Sequence, residues 1–326
     1  MLEHGGNLRS AKARFGGYDW LDLSTGINPH WYPVPSLPPD AWHRLPEADP
    51  DLAAAACAYY KAPRMLAVAG TQAAIQALPR LRAPSRVTVA APSYAEHAHH
   101  WGGHGHTLSQ VPYTGLAAAL EHSDVLVVCN PNNPTGATIP AAQLLDWAAT
   151  LAARGGWLVV DEAFGDTCPH NSIAAYADRP GIIVLRSIGK FFGLAGIRLG
   201  FVAAEAVLLQ RLADVLGPWT ISGPAQHVAG AALRDLAWQA DTLASLTVSG
   251  QRLHGLLAGA GIAASGTPLF QWWAEPAAER FWRHMAERRI WVRLFHHAAH
   301  GIRLGLPANE AAWQRLDNAL LEWTPR

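Results

Sequence analysis

Residues 182–203 read IIVLRSIGKFFGLAGIRLGFVA: an apolar run, a glycine-rich loop with one lysine, and a second apolar run. The two runs, at 182–186 and 199–203, consist mostly of large aliphatic residues and predict buried strands. The loop between them places Lys190 directly after the first of these strands. Open α/β sheets carry their binding sites beyond the carboxyl ends of the strands. The stretch therefore predicts both a buried sheet and a functional loop at its edge.

Upstream of this stretch, apolar runs of the same kind alternate with helical patterns. Three runs predict strands, at 86–91, 124–129 and 157–160. A shorter strand-like piece ends at Gly70, and residues 141–154 are typical of the intervening helices. Strands that alternate with helices and are apolar along their whole length favour a mostly parallel sheet with helices on both faces. We therefore predict an α/β fold.

The two ends of the chain differ from this central part. The first 37 residues are rich in Gly, Pro, Asn and aromatic residues, and they predict an irregular arm with little helix. Beyond residue 223, helical and strand patterns follow one another in the order of a small α+β domain. We predict a large domain at 38–223, together with an arm at 1–37 and a small C-terminal domain at 224–326.

Composition excludes several classes of protein. The 326 residues include 25 basic and 25 acidic side chains, and this neutral balance argues against a nucleic-acid partner. Half of the residues are hydrophobic and only 15% are charged, which excludes a disordered chain. No apolar run approaches the ~20 residues that span a bilayer, and residues 1–9 lack a hydrophobic signal region. We expect a soluble cytoplasmic enzyme without a membrane partner.

Four short motifs lie where a predicted strand ends or a helix begins. They are GTQ at 70–72, NPNNPTG at 130–136, DEAF at 161–164 and SIGKFFGLAGIRLG at 187–200. In this order and spacing they resemble the class I and II aminotransferase family of pyridoxal-phosphate enzymes. The resemblance implies fold type I, with a seven-stranded, mostly parallel sheet in the large domain. It also implies a homodimer.

The resemblance assigns a role to each motif residue. Lys190 would bond to the aldehyde of the cofactor, and it is one of only three lysines in the chain. Asp161 would keep the ring nitrogen protonated, Asn133 would donate to the phenolic oxygen, and Tyr94 would stack on the ring. The cofactor phosphate would be bound by five residues: Gly70, Thr71, Gln72, Ser187 and Arg198. Phe164 departs from the family, which commonly has tyrosine there.

The N-terminal segment narrows the resemblance to one branch of the family. HGGN at 4–7 and LDLSTGINPHWYP at 21–33 resemble the threonine-phosphate decarboxylases of cobalamin biosynthesis. This resemblance implies a small phosphorylated amino acid as substrate and release of carbon dioxide from it. Arg303, in GIRLGLP, would bind the substrate carboxylate, and His4, Gly6 and Asn28 would bind the substrate phosphate.

Two other functions remain open at this point. An aminotransferase acting on histidinol phosphate or an aromatic amino acid shares the general motifs, and it would transfer the amino group to 2-oxoglutarate. A non-catalytic binding protein on the same fold would not need Lys190, Asp161 and Asn133. The presence of these three residues argues against the second alternative.

Histidines and cysteines are the remaining candidates for metal ligands. Histidines are dense in two stretches, one with five members at 97, 99, 100, 104 and 106 and the other with His296, His297 and His300. No cysteine or carboxylate accompanies the first group at ligand spacing, and Cys57, Cys129 and Cys168 are far apart. We predict that the protein holds no metal.

Overall fold

The computed structural model describes residues 4–296 and 299–324. These described residues form two compact units. The large unit comprises Trp31–Asn133 and Thr138–Ala240, and the small unit comprises the described parts of Met1–His30, Pro134–Ala137 and Asp241–Arg326. The domain boundaries predicted from the sequence, at 38 and 223, stay a prediction.

The strands are β1 (Leu21–Asp22), β2 (Leu66–Val68), β3 (Arg86–Ala90), β4 (Thr107–Val111), β5 (Val125–Cys129), β6 (Trp157–Asp161), β7 (Ile182–Ser187), β8 (Gly200–Ala203), β9 (Ser265–Thr267), β10 (Phe270–Ala274), β11 (Ile290–Trp291), β12 (Arg293–Phe295) and β13 (Gly301–Gly305). The helices are α1 (Leu8–Phe15), α2 (Asp40–His43), α3 (Pro50–Tyr60), α4 (Thr71–Ala77), α5 (Ala95–Gly103), α6 (Leu116–Ala119), α7 (Ala141–Ala152), α8 (Ala206–Leu216), α9 (Gly223–Arg234), α10 (Leu236–Gly259), α11 (Ala278–Glu287) and α12 (Glu310–Leu321).

The large unit is built on a sheet that has seven strands among the described residues, in the order β2-β8-β7-β6-β5-β3-β4. Neighbouring strands are parallel except around β8, which runs antiparallel to both β7 and β2. Every residue of β5, β6 and β7 is buried, so both faces of the sheet are covered. The α/β fold with a mostly parallel sheet is confirmed.

Strand β4 was not predicted from the sequence. It lies at the edge of the sheet, and its residues are exposed or half-buried. An edge strand buries little of its surface, so its sequence, TLSQV, lacks the continuous apolar run that marks the inner strands.

The register of the inner strands places polar side chains together at one edge of the sheet. Cys129, the last residue of β5, pairs with Asp161, the last residue of β6. Asp161 in turn pairs with Leu185 of β7, which ends two residues later at Ser187. Because these strands are parallel, the loops that follow them emerge at the same edge. This edge therefore carries three of the four sequence motifs.

The small unit contains an antiparallel sheet in the order β12-β13-β10-β9 among the described residues, and a parallel pair formed by β1 and β11. The prediction of an irregular N-terminal arm with little helix is wrong for residues 8–15, which form helix α1. Asn7 caps this helix by accepting a hydrogen bond from the Ser10 amide at 3.1 Å.

Helix α1 is fixed to the small unit by an aromatic cluster. The Phe15 ring lies 5.5 Å from Trp282 and 6.4 Å from Trp291, and the Arg14 guanidinium lies 4.7 Å from the Trp282 ring. Such ring and cation contacts each add about 0.5–1.5 kcal/mol to the area they bury. Tertiary packing, which a short polar helix does not reveal in its sequence, therefore explains why α1 forms.

None of the described helices combines the length and the apolar composition needed to cross a bilayer.

Candidate active site

A cavity of about 150 Å³ opens in the large unit at the carboxyl edge of the sheet. Its lining includes every motif residue that the sequence assigned to the cofactor: Gly70, Thr71, Gln72, Tyr94, Asn133, Asp161, Ser187, Lys190 and Arg198. Residues that were not singled out for the cavity also line it, among them Cys129, Pro131, Ala163, Ala195 and Leu199. The fold thus brings residues that are up to 129 positions apart in sequence to one cavity.

Asp161 is the buried acid of the cavity, with 5% of its surface exposed. Its Oδ1 accepts a hydrogen bond from the Ala163 amide at 3.0 Å, and its Oδ2 lies 2.9 Å from His97 Nε2. His97 is 1% exposed, so this pair is shielded from water. Two donors on one carboxylate fix the orientation of the acid at the edge of β6.

His97 carries a positive charge beside this acid. Burial alone would lower the pKa of His97, but hydrogen bonds to Asp161 and to the Cys129 thiol outweigh it and raise that pKa to about 10. Helix α5 positions the imidazole, since His97 lies three residues after Tyr94 at the start of that helix. In the sequence, His97 stands out only as the first member of a histidine-rich stretch.

The raised pKa predicts a pH-dependent stability. The charged pair stabilises the folded state fully below the ordinary histidine pKa of about 6.5, and this stabilisation is lost as the pH rises to about 10. In the cofactor-free wild type, we expect the free energy of unfolding to fall as the pH rises through this window. The fall should be steeper than in the cofactor-free His97→Gln variant, by up to about 1.4 kcal/mol per pH unit. Urea unfolding at several pH values measures the difference.

His104→Gln is the matched control for this experiment, because His104 lies exposed at the end of the same helix. Its stability should follow the pH profile of the wild type. Equal profiles for His97→Gln and the wild type would contradict a charged His97–Asp161 pair.

Asn133 reaches the cavity from a tightly held turn after β5. The Asn130 side chain donates to the Ile139 carbonyl at 3.0 Å and accepts from the Ile139 amide at 2.8 Å, which closes the turn on itself. Asn132 donates to the Pro92 carbonyl at 2.9 Å. These bonds leave the turn with a defined shape, and Asn133 lies on its cavity side.

Gly70 and Arg198 form the part of the cavity that suits an anion. Gly70 has a φ of +69°, and a Cβ there would lie 2.7 Å from Nη2 of Arg198. Only glycine allows the guanidinium to approach the backbone at the start of α4. A helix N-terminus next to a guanidinium attracts phosphate groups, so this corner can bind one.

Tyr94, Gln72 and Glu96 form a chain of two hydrogen bonds that the sequence did not indicate. The Tyr94 hydroxyl donates to Gln72 Oε1 at 3.3 Å, and Gln72 Nε2 donates to Glu96 Oε2 at 2.7 Å. Glu96 is buried and also bonds to His100 at 3.0 Å. Burial raises the pKa of the Tyr94 phenol, with the charges of Glu96 and Asp161 adding to the effect, so the phenol stays protonated and available as a donor.

A buried cluster of charged side chains lies at the ends of β6 and β7, next in sequence to Asp161 and Ser187. Arg186 pairs with Glu162 at 2.7 Å and with Asp166 at 3.2 Å, and all three side chains are at most 4% exposed. Glu162 follows Asp161 and Arg186 precedes Ser187, so the cluster joins the ends of β6 and β7. Removing one partner of such a buried pair leaves an uncompensated charge and costs about 3–5 kcal/mol, so we expect substitutions in this cluster to destabilise the protein.

Lys190 lies at the border of the cavity, partly accessible to solvent. Its Nζ is 5.5 Å from the centre of the Phe164 ring. An accessible amine next to a buried acid and an anion-binding corner can hold a small aldehyde-bearing phosphate compound.

The four residues assigned to the substrate lie in the small unit. His4 and Gly6 precede α1, Asn28 is buried and accepts a hydrogen bond from the His30 amide at 2.9 Å, and Arg303 lies in β13. Their role in binding substrate stays a prediction.

One set of potential metal ligands was found among the described residues. The ligand atoms of His97, Cys129 and Asp161 lie within 4.8 Å of one another. In the second histidine stretch, His296 and His300 pair with Glu279 at 3.3 and 3.7 Å, while His297 lies outside the described residues. The prediction that no metal is held stays a prediction.

Comparison with known proteins places the chain in a family. Residues 39–312 match the model of the aminotransferase class I and II family, and the chain belongs to this family.

Its similarity to particular proteins extends over 98% of the chain. It is 53% identical to the threonine-phosphate decarboxylase of Pseudomonas aeruginosa, with 98% of each chain covered. It is 44% identical to the threonine-phosphate decarboxylase of a Sinorhizobium species, over 98% of this chain and 97% of the relative. The crystal structure of histidinol-phosphate aminotransferase from Sinorhizobium meliloti with pyridoxal-5'-phosphate has the same fold, with a TM-score of 0.84, 22% identity and coverage of 98% and 95%.

Proposed function

We propose that this protein decarboxylates L-threonine O-3-phosphate with pyridoxal phosphate as cofactor. The observation that carries the proposal is 53% identity to a threonine-phosphate decarboxylase over 98% of both chains. The product is (R)-1-amino-2-propanol O-2-phosphate, a building block of the cobalamin nucleotide loop. Arg303, His4, Gly6 and Asn28 bind the substrate in this proposal.

The cavity fits the cofactor group by group. The aldehyde needs an amine, which Lys190 supplies as the only lysine among the lining residues. The ring nitrogen needs a carboxylate, which Asp161 supplies, and the phosphate needs the start of α4, where Gly70 leaves room for Arg198. When bound, the cofactor supplies a protonated ring that accepts the electron pair released at the substrate Cα.

The residues of the chain have distinct tasks in this reaction. Asp161, oriented by the His97 imidazole and the Ala163 amide, would be the partner that keeps a proton on the ring nitrogen. Arg303 binds the carboxylate and sets which bond at Cα breaks. After carbon dioxide leaves, Lys190 returns a proton to Cα as general acid.

Incubation with carboxyl-labelled L-threonine O-3-phosphate tests the proposal. Labelled carbon dioxide should be released in proportion to enzyme and without any 2-oxoglutarate. If no label is released while 2-oxoglutarate is converted to glutamate, the protein is an aminotransferase and the proposal is wrong.

We also infer a homodimer with a cytoplasmic location. Large apolar side chains are exposed on the large unit at Trp31, Val34, Trp42, Leu45 and Trp219, each with more than half of its surface accessible. Helix α2, which carries Trp42, packs against α9. Gly223 of α9 lies so close to the Ala41 carbonyl of α2 that a Cβ on Gly223 would be 2.3 Å from it. The inference of a dimer comes from the resemblance to the aminotransferase family, and these side chains are the candidates for its interface.

Trp42→Glu is expected to weaken this dimer. A charge buried at the interface should raise the dissociation constant by about a hundredfold or more, since an unpaired buried charge is costly. Sedimentation of the variant across a concentration series measures the effect. Leu321→Glu, at an apolar residue that is 75% exposed on the small unit, serves as the control. A wild type that sediments as one chain at all concentrations would refute the dimer.

A further inference from the structure

Ser24 is a buried polar residue of the small unit, 1% exposed, that was not assigned to any site. It follows β1, and Asp22 at the end of that strand fixes it. The Ser24 hydroxyl donates to Asp22 Oδ1 at 2.6 Å, and the Ser24 amide donates to the same oxygen at 2.9 Å. The proton of the hydroxyl is therefore committed to Asp22, and its oxygen is left to act as an acceptor.

The Ser24 hydroxyl oxygen binds the N-terminal segment as a hydrogen-bond acceptor. The Gly6 amide donates to Ser24 Oγ at 2.7 Å. Gly6 has a φ of +82°, in the left-handed region that favours glycine. A Cβ on Gly5 would lie 2.2 Å from the Ser24 carbonyl oxygen, so Gly5 has no room for a side chain. Close packing against Ser24 thus accounts for Gly5 of the HGGN motif, and the left-handed backbone accounts for Gly6.

The carbonyl of the same serine holds Arg303. Nη2 of Arg303 donates to the Ser24 carbonyl at 2.9 Å, and Arg303 as a whole is 6% exposed. Its centre lies 5.3 Å from the Phe270 ring and 5.8 Å from the Phe295 ring. Two rings and one carbonyl therefore fix the orientation of this arginine.

We propose that Ser24 is a positioning residue that sets the distance between the N-terminal Gly5–Gly6 segment and the Arg303 guanidinium, and thereby selects phosphorylated over unphosphorylated substrate. This inference rests on the proposed function. In L-threonine O-3-phosphate the carboxylate and the phosphate are separated by only Cα, Cβ and the ester oxygen. A protein that binds both ends must hold two groups at a fixed spacing. The Gly6 amide is engaged by Ser24 Oγ and the Arg303 guanidinium by the Ser24 carbonyl, so Ser24 positions the segment around Gly6 relative to the guanidinium.

Ser24→Ala tests the inference with two readouts. The variant keeps the carbonyl that binds Arg303 but removes the acceptor of the Gly6 amide. We expect hydrogen exchange in the peptide covering residues 4–8 to become at least about tenfold faster, since the loss of one hydrogen bond of about 1.4 kcal/mol corresponds to that factor. We also expect the preference for L-threonine O-3-phosphate over L-threonine, measured as a ratio of Kd values from absorbance titrations of the cofactor-loaded protein, to fall about tenfold.

Gly5→Ala places a methyl group against the Ser24 carbonyl and so disturbs the packing of the N-terminal segment on Ser24. It should reproduce both changes. Ser10→Ala, in helix α1, is the matched control and should change neither exchange nor preference.

The outcomes separate this inference from the proposed function. Faster exchange with a lost phosphate preference supports the role of Ser24 even if the wild type released no carbon dioxide, which would refute the decarboxylase alone. Unchanged exchange, or equal weakening of both ligands, would show a merely structural serine and overturn the inference.

Discussion

Replacing Lys190 with alanine is expected to abolish the reaction and the attachment of the cofactor together. The alanine variant has no amine within the lining of the cavity to bond to the aldehyde or to return a proton to Cα. We expect kcat to fall on the order of 10⁴-fold or more. The absorbance of the attached cofactor should also disappear, and folding should be unaffected because Lys190 is partly accessible to solvent.

Lys12→Ala is the control for this prediction. Lys12 lies exposed on α1, and its loss should leave absorbance and rate unchanged. Borohydride reduction of the wild type followed by peptide mass analysis should locate the cofactor on the peptide that contains residue 190. Finding the added mass on Lys12 or Lys61 would refute the assignment.

Asp161→Asn is expected to slow the reaction by about a thousandfold while the cofactor stays attached to Lys190. The amide is close in size to the acid, so the cavity keeps its shape, but a neutral group cannot hold a proton on the ring nitrogen. It also removes the negative charge that raises the pKa of His97. Steady-state rates, with the visible absorbance as a check on cofactor content, measure the effect.

Asp146→Asn, at an exposed acid on α7, should match the wild type in the same assay. A rate for Asp161→Asn within about tenfold of the wild type would mean that another group keeps the ring protonated. The absorbance separates this variant from Lys190→Ala, since only the latter loses the attached cofactor.

The cavity could be predicted from the sequence because the carboxyl ends of neighbouring parallel strands lie at the same edge of a sheet. The loops after 124–129, 157–160 and 182–186 had to emerge at one edge, so the motifs at their ends had to converge, and all nine predicted cofactor residues line one cavity. Their chemical roles are predictions that the variants above test. The pairing of His97 with Asp161 depended on how α5 packs, which no local pattern reveals.

The small unit was harder to predict because its order comes from tertiary contacts. Helix α1 is short and polar, and it forms against Trp282 and Trp291 from the other end of the chain. Ser24 gains its partners only through the pairing of β1 with β11 and through the approach of Arg303 from β13. Contacts between residues 279 positions apart leave no trace in local periodicity.

The most direct test of the proposed reaction is the fate of the Cα hydrogen in deuterated water. If the bond from Cα to the carboxylate breaks and Lys190 then returns a solvent-derived proton, the aminopropanol phosphate product will carry one deuterium and will keep the original hydrogen on the same carbon. Mass and proton NMR spectra of the product measure both. A product or recovered substrate that has lost the original Cα hydrogen, with the carboxylate retained, would contradict decarboxylation by this protein.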